Sequence, residues 1–196
     1  MTDGLTDLQL IERVQQGDKA SFDTLMRRHE KKAYQYAYRL TQNQDDACDI
    51  VADAFVRVNS ALKNFRGQSA FGTWLYRIIT NCALDFKKKD KSNRTVSIET
   101  PTYSGGQEVQ RQFEDEGPGP DELAERNARE LSVQLALSKM PEYQQAMLVM
   151  YHVENLSYEE IADALDLPLG TVKSRLNRAR LALRDLLTKD EELFKV

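Results

Sequence analysis

The sequence predicts an all-α protein: two small helical domains joined by a flexible acidic linker, the second containing a helix-turn-helix. Three observations support this. Apolar residues recur at helical spacing in nearly every periodic segment, and none shows a convincing period of two. A stretch rich in glycine, proline and acid, with no period of its own, separates two such regions. The later region ends in a capping motif, a short turn and a basic helix.

The first domain is placed at residues 5–92. Leu8, Ile11 and Val14 suggest a short opening helix that ends at Gly17. Asp18 is the expected N-cap of a second, with Phe22, Leu25, Met26 and His29 on one face. A third has Asp45 and Asp46 in its first turn, where the helix dipole favours negative charge, and buries Ala47, Ile50, Val51, Ala54, Phe55, Val58 and Leu62. Residues 65–69 break it. A fourth carries Phe71, Trp74, Leu75, Ile78, Ile79, Cys82 and Phe86 on one face. Residues 93–120, with Gly105-Gly106 and Gly117-Pro118-Gly119-Pro120, form the expected linker. The second domain is placed at 121–190.

Charge is partitioned in the same way. The net charge is -4, yet residues 62–94 hold eight Lys or Arg against two Asp. Residues 168–187 hold Lys173, Arg175, Arg178, Arg180 and Arg184 against Asp185 alone, whereas residues 95–125 hold eight acids against Arg111. Two basic modules flanking an acidic connector point to nucleic acid despite the overall sign. No stretch is long and apolar enough to cross a membrane, and the first residues lack the basic and apolar regions of a secretory leader. A cytoplasmic location without membrane insertion is expected. Cys48 and Cys82 do not sit at a zinc spacing and are expected to be small buried hydrophobes rather than a redox pair. His29 and His152 lack a ligand set. Neither metal nor cofactor is expected, and with no nucleophile beside a base and no phosphate loop, no enzymatic activity either.

The DNA-reading candidate lies near the C-terminus. Ser157-Tyr158-Glu159-Glu160 is a capping box, after which Ile161, Ala162 and Leu165 face inward. Residues 166–170 make the turn, with Leu167 plugging the angle between helices. Thr171 is the expected N-cap of the next helix, whose inner face is Val172, Leu176, Ala179 and Leu183. Its outer face carries Lys173, Ser174, Asn177, Arg178 and Arg180. Arg and Lys read guanine or hold phosphate, and Asn reads adenine. A recognition helix needs such a face.

These residues carry a family resemblance. Tyr158-Glu159-Glu160-Ile161-Ala162, then Gly170-Thr171-Val172-Lys173-Ser174-Arg175-Leu176 and Arg178-Ala179-Arg180, resemble the C-terminal domain of bacterial sigma factors, closest to the extracytoplasmic-function (ECF) group. Asp49-Ile50-Val51 and Phe71-Gly72-Thr73-Trp74-Leu75-Tyr76-Arg77-Ile78 are similar to that group's domain two. The resemblance implies an initiation subunit of RNA polymerase with core polymerase and promoter DNA as partners. Domain two would bind the clamp helices of the largest subunit and capture the melted minus-ten element. Domain four would dock on the flap of the second-largest subunit and read the minus-thirty-five element. An anti-sigma factor is a further implied partner.

Residue by residue, the resemblance places Lys173, Ser174, Asn177 and Arg178 on bases of the minus-thirty-five element, with Thr171 and Arg175 on phosphates. It assigns Gly67, Gln68, Ser69, Ala70 and Phe71 to a pocket for a flipped base, and Asn81, Asp85, Lys87 and Lys88 to the upstream duplex. Trp74 belongs to the same minus-ten region, where it is equally readable as a core residue in phase with Ile78 and Cys82. Polymerase binding falls on Asp49, Asp53, Val56 and Arg57. Three departures from the family pattern stand out: Ala52-Asp53 in place of Gln-Glu, Asp166 in place of a turn glycine, and Trp74-Leu75 in place of a tryptophan pair. The rival reading is a stand-alone helix-turn-helix regulator, which leaves the interleaved aromatic and basic residues of 65–89 without a role.

Overall fold

A computed structural model describes residues 4–94 and 120–194, with side-chain surroundings given for 4–89 and 128–188. Among the described residues there are eight α-helices and one 3-10 turn: α1 Asp7–Gln15, α2 Lys19–Thr41, α3 Gln44–Ala61, the turn Leu62–Asn64, α4 Phe71–Arg94, α5 Pro120–Ser138, α6 Glu142–His152, α7 Tyr158–Leu165 and α8 Leu169–Phe194. None is long and apolar enough to cross a membrane. The linker expected at 93–120 is shorter at both ends, because α4 runs on to Arg94 and α5 begins at Pro120; residues 95–119, with Glu114, Asp115 and Glu116, lie outside the described residues.

The helix starts follow side-chain chemistry. Thr6 and Gln9 form a reciprocal capping box on α1. Asp18 accepts from the amides of Ala20 and Ser21 at the start of α2, and Asn43 does the same for Asp45 and Asp46 on α3. Each satisfies amides that the first helical turn leaves without a backbone partner. Gly17 with φ 99° turns the chain out of α1, while α2 ends on Gln42 in the left-handed region.

Helices α1 to α4 enclose Leu10, Ile11, Leu25, Tyr36, Ile50, Val58, Leu62, Leu75 and Ile79, all buried. The opening helix differs from its expected face: Leu10 and Ile11 point inward, while Leu8 is 55% exposed. A helix this short packs on one side only, and the register is set by Leu10 rather than Leu8. Inside the core, the Tyr36 hydroxyl meets Thr80 Oγ1 at 2.7 Å and Thr80 in turn donates to the Tyr76 carbonyl, so the fully buried Tyr36 phenol is satisfied.

Helices α5 to α8 pack around Ala136, Met147, Met150, Ile161, Val172, Leu176 and Ala179. The Ser157–Glu160 capping box opens α7 as expected, with both of its hydrogen bonds formed. The two units are not held apart. Gln145 on α6, 1% exposed, donates to the Arg39 carbonyl at the end of α2 at 2.8 Å. Glu154 accepts from the Tyr76 hydroxyl on α4 and pairs with Arg39 at 3.6 Å. Arg77 reaches the Asp163 carbonyl on α7 at 3.4 Å.

Candidate nucleic-acid interface

The helix-turn-helix is built from α7 and α8. Asp166 ends α7 at φ 53°, ψ 53° and so takes the left-handed conformation that turn requires. An aspartate adopts it at lower cost than most residues because its short polar side chain tolerates αL. Helix α8 then starts at Leu169, two residues ahead of the expected N-cap; Thr171 lies within its first turn, its amide donating to the Pro168 carbonyl at 2.8 Å. Gly170 is helical too, which confines the turn to residues 166–168. Proline just ahead of the helix fixes the backbone for entry and loses no amide that the helix needs.

On α8, Val172, Leu176 and Ala179 are fully buried, while Lys173, Ser174, Asn177 and Arg178 are all exposed. The four residues expected to read bases share one solvent-facing side. Arg175 is also exposed, with its guanidinium 5.5 Å from the ring centre of Tyr143. Arg180 corrects the expected outer face. It folds back over Tyr151, 4.5 Å from the ring centre, and donates to His152 Nε2 at 3.2 Å and to the Tyr158 hydroxyl at 3.5 Å. Tyr151 and Tyr158 stack at 5.1 Å. Arg180 therefore joins α8 to α6 and α7. Its hydrogen bond holds the Tyr158 hydroxyl below the ordinary tyrosine pKa, and burial followed by its positive charge lowers that of His152.

The other basic module centres on the loop before α4. Gly67 takes φ 68°, and Gly67, Gln68 and Ala70 are exposed while Ser69 is half-buried. Phe71 is 4% exposed and sits in an aromatic group: Phe65 at 6.3 Å, Trp74 at 5.8 Å and, edge-on, His29 at 4.8 Å. Phe71 is thus the base of the loop rather than its tip. Trp74, 5.0 Å from Phe65, is half-buried. A cavity of about 850 Å³ runs from Trp74, Arg77 and the loop across to Asp163, Asp166 and Pro168 of the helix-turn-helix.

Further along α4, Asn81, Asp85 and Lys88 are exposed, spaced at i, i+4 and i+7 on one side. Lys87 turns the other way, toward Gln145 Oε1 at 3.4 Å. Asp85 is paired with Arg57 of α3 at 3.0 Å, and Arg57 also pairs with Asp53 at 2.8 Å. Two surfaces expected to be separate are therefore joined by one arginine. Asp49 and Asp53 are exposed beside it, and Val56, at 66% exposure, is a large apolar group left in solvent.

Cys48 is exposed, contrary to expectation, because it lies one residue off the buried face of α3; Cys82 is buried, and burial raises its thiol to about 12. No group of three or more metal-binding side chains occurs among the described residues. Gln145, Glu154, Tyr76 and Arg39, which tie the two units together, were not signalled by periodicity. The only mark in the sequence is that Gln145, the second of the pair Gln144-Gln145, leads directly into the apolar run Ala146-Met147-Leu148-Val149-Met150.

Comparison with known proteins shows the family. The family model for sigma-70 region 2 matches residues 25–93, and that for sigma-70, region 4 matches residues 130–183. The RNA polymerase sigma-H factor of Pseudomonas aeruginosa is 36% identical over 180 residues, covering 90% of this chain and 91% of that protein. The ECF RNA polymerase sigma-E factor of Escherichia coli K12 is 35% identical over 187 residues, covering 93% and 95%. Among solved structures, CnrH in complex with the cytosolic domain of CnrY superposes with a TM-score of 0.65 at 26% identity, over 94% of this chain and 98% of that one. RpoE in complex with the anti-sigma factor NepR from Bartonella quintana shares the fold, with a TM-score of 0.63 at 22% identity, over 85% and 96%. With both sigma-70 regions matched in order and relatives aligned over nearly their full length, the chain belongs to the ECF group of the sigma-70 family, the alternative sigma factors that direct RNA polymerase to specific promoters.

Proposed function

We propose that this sigma factor holds promoter DNA at two places, each formed by the residues described above. Lys173, Ser174, Asn177 and Arg178 read the minus-thirty-five element in the major groove, with Thr171 and Arg175 near phosphates. Gly67, Gln68, Ser69 and Ala70, backed by Phe71 and Trp74, receive a base of the melted minus-ten element, while Asn81, Asp85 and Lys88 follow the upstream duplex. Lys87 joins them only once its contact with Gln145 is released. The exposed side of α3, with Asp49, Asp53, Val56 and Arg57, meets the clamp helices of the largest polymerase subunit. Residues 121–190 additionally dock on the flap of the second-largest subunit. The domains at 5–92 and 121–190 act as separate DNA anchors inside the cytoplasmic holoenzyme, and an anti-sigma factor controls their release.

The observation that carries this reading is α8. Its buried Val172, Leu176 and Ala179 lock it to α6 and α7, and its opposite side turns Lys173, Ser174, Asn177 and Arg178 to solvent, with the Ser174 hydroxyl donating to the Thr171 carbonyl at 3.0 Å. The loop before α4 supplies the second requirement, an aromatic-backed concavity with a basic surround for an unstacked base. Run-off transcription with purified core polymerase tests the whole. A discrete transcript is expected only when this chain is added, together with co-purification of the chain with core. No transcript from any promoter in a genomic library, with no co-purification, overturns it.

A further inference from the structure

A second cavity beside the loop, separate from the one that reaches the helix-turn-helix, has two walls, and only one of them belongs to the loop. Residues 67–71 form one side; Thr6, Asp7 and Leu8, at the start of α1, form the other, enclosing about 520 Å³. Helix α1 precedes the region 2 match, which begins at residue 25.

Several contacts fix α1 against the loop. The Gln15 side-chain amide donates to the carbonyls of Leu62 at 3.0 Å and Phe65 at 2.9 Å, across some of the longest sequence separations within this unit. At the other end, a Cβ on Gly67 would lie 3.5 Å from Leu8 Cδ2, so the loop backbone passes in van der Waals contact with that side chain. Asp7 accepts from Arg28 at 2.6 Å and meets His29 Nε2 at 2.8 Å, and the His29 ring stands edge-on to Phe71. Thus α1 sets the position of the loop at its start, at Gly67 and at Phe71.

Leu8 is then a large aliphatic side chain, 55% exposed, held at the rim of a cavity whose opposite wall is the candidate base-capture loop. Asp7 is already engaged by Arg28 and His29. Among the three α1-side residues, Leu8 is the group with apolar surface free for a ligand. An unstacked base is flat and apolar on its faces, and aliphatic or aromatic surface is what compensates it for lost stacking.

We propose that Leu8 is a base-contacting residue, and that the pocket for the captured base is composed of α1 as well as the 67–71 loop. This rests on the reading of that loop given above. The captured group is an unstacked base of single-stranded DNA, gripped on one face by Leu8 and bordered by the loop backbone.

The test uses holoenzyme reconstituted from the full chain and core polymerase. Fluorescent single-stranded oligonucleotides with six randomised positions are first selected for tight binding. The best sequence is then compared with versions carrying an abasic site at each position in turn. With the unaltered chain, one abasic position is expected to weaken binding by about tenfold or more. Leu8→Ala is expected to weaken binding of the intact oligonucleotide by about fivefold, and to leave binding of that abasic oligonucleotide unchanged. Leu8→Met retains most of the affinity, and both variants keep the thermal midpoint of the parent. Equal losses on intact and abasic DNA, or no loss on either, overturn the role of Leu8. If no abasic position weakens the unaltered holoenzyme, base capture by the loop itself is wrong, and the assignment of Leu8 falls with it.

Discussion

The side-chain amide of Gln145 and the backbone carbonyl of Arg39 lie 2.8 Å apart, and they join the two helical units of this sigma factor across more than a hundred residues of chain. The glutamine is buried and also faces the Lys87 ammonium through its oxygen. Nearby, the Tyr76 hydroxyl donates to Glu154, whose carboxylate also pairs with Arg39. These contacts are polar, few and set within a continuous apolar interface that includes Leu40 and Ala146. Such an interface holds the two units together in the free chain.

Gln145→Ala removes both polar contacts of that side chain and leaves a void. A stability loss of about 1–3 kcal/mol is expected in urea titration, the range for truncating a buried hydrogen-bonding group. Dyes on α3 and the outer face of α8 are expected to move apart in energy-transfer measurements. An unchanged distance together with unchanged stability contradicts the role given to Gln145.

Arg178 and Arg180 are two residues apart yet have opposite environments. Arg178 is exposed, whereas Arg180 lies over Tyr151 and bonds His152 and Tyr158. Arg178→Ala is expected to leave the thermal midpoint unchanged and to weaken holoenzyme binding to an upstream-element duplex by about tenfold. Arg180→Ala is expected to cost about 0.5–2 kcal/mol of stability, the range for a partly desolvated cation–π contact. Reversed outcomes in calorimetry and duplex binding exclude this division of labour.

The same cluster is pH-sensitive. Burial and the Arg180 charge lower the pKa of His152 from its ordinary 6.5, so the folded state prefers the neutral ring, whose Nε2 lone pair accepts from Arg180. The unfolded chain takes up this proton first as pH falls. The contribution is therefore fully present above about 6.5 and is lost as pH drops from there through the folded value. His152→Gln, which keeps an acceptor without a titrating ring, is expected to show a smaller fall in thermal midpoint between pH 7.5 and 5.5. Equal falls in both proteins contradict the assignment.

The two cysteines differ in reactivity for a structural reason. Cys48 is exposed on α3; Cys82 is buried and its thiol is raised to about 12, chiefly by burial, with the carboxylates of Asp53 and Asp85 adding to it against the opposing charge of Arg57. At pH 8 the Cys82 sulfur therefore stays protonated and unreactive. Iodoacetamide is expected to modify one site on the native protein, and Cys48→Ser to abolish that modification. Labelling of Cys82 requires denaturant; rapid double labelling of the folded chain contradicts its burial.

Much of this molecule is legible in the sequence because its helices are set by local rules. The Ser157–Glu160 capping box, the Asp18 cap, the left-handed Asp166 and the buried line of Val172, Leu176 and Ala179 each depend on residues within a turn or two of one another. The exposure of Lys173, Ser174, Asn177 and Arg178 follows from that line by helical periodicity alone. Where several residues compete for one face, local rules lose force. Leu8 sits at helical spacing from Ile11, but only packing against the rest of the bundle shows that Leu10 is the residue turned inward. Arg180 carries the same charge as Arg178, and only the presence of Tyr151 and Tyr158 on other helices folds it back. Sequence thus determined the helices, the Asp18 and Ser157 caps and the exposed Lys173, Ser174, Asn177 and Arg178 of α8, since these arise from contacts between near neighbours, whereas the start of α8 falls two residues ahead of the expected Thr171 cap. Tertiary structure alone decided that α1 walls the loop cavity and that Gln145 and Glu154 close one unit on the other. Those contacts join residues far apart in the chain, and periodicity carries no information about which distant surface a side chain will meet.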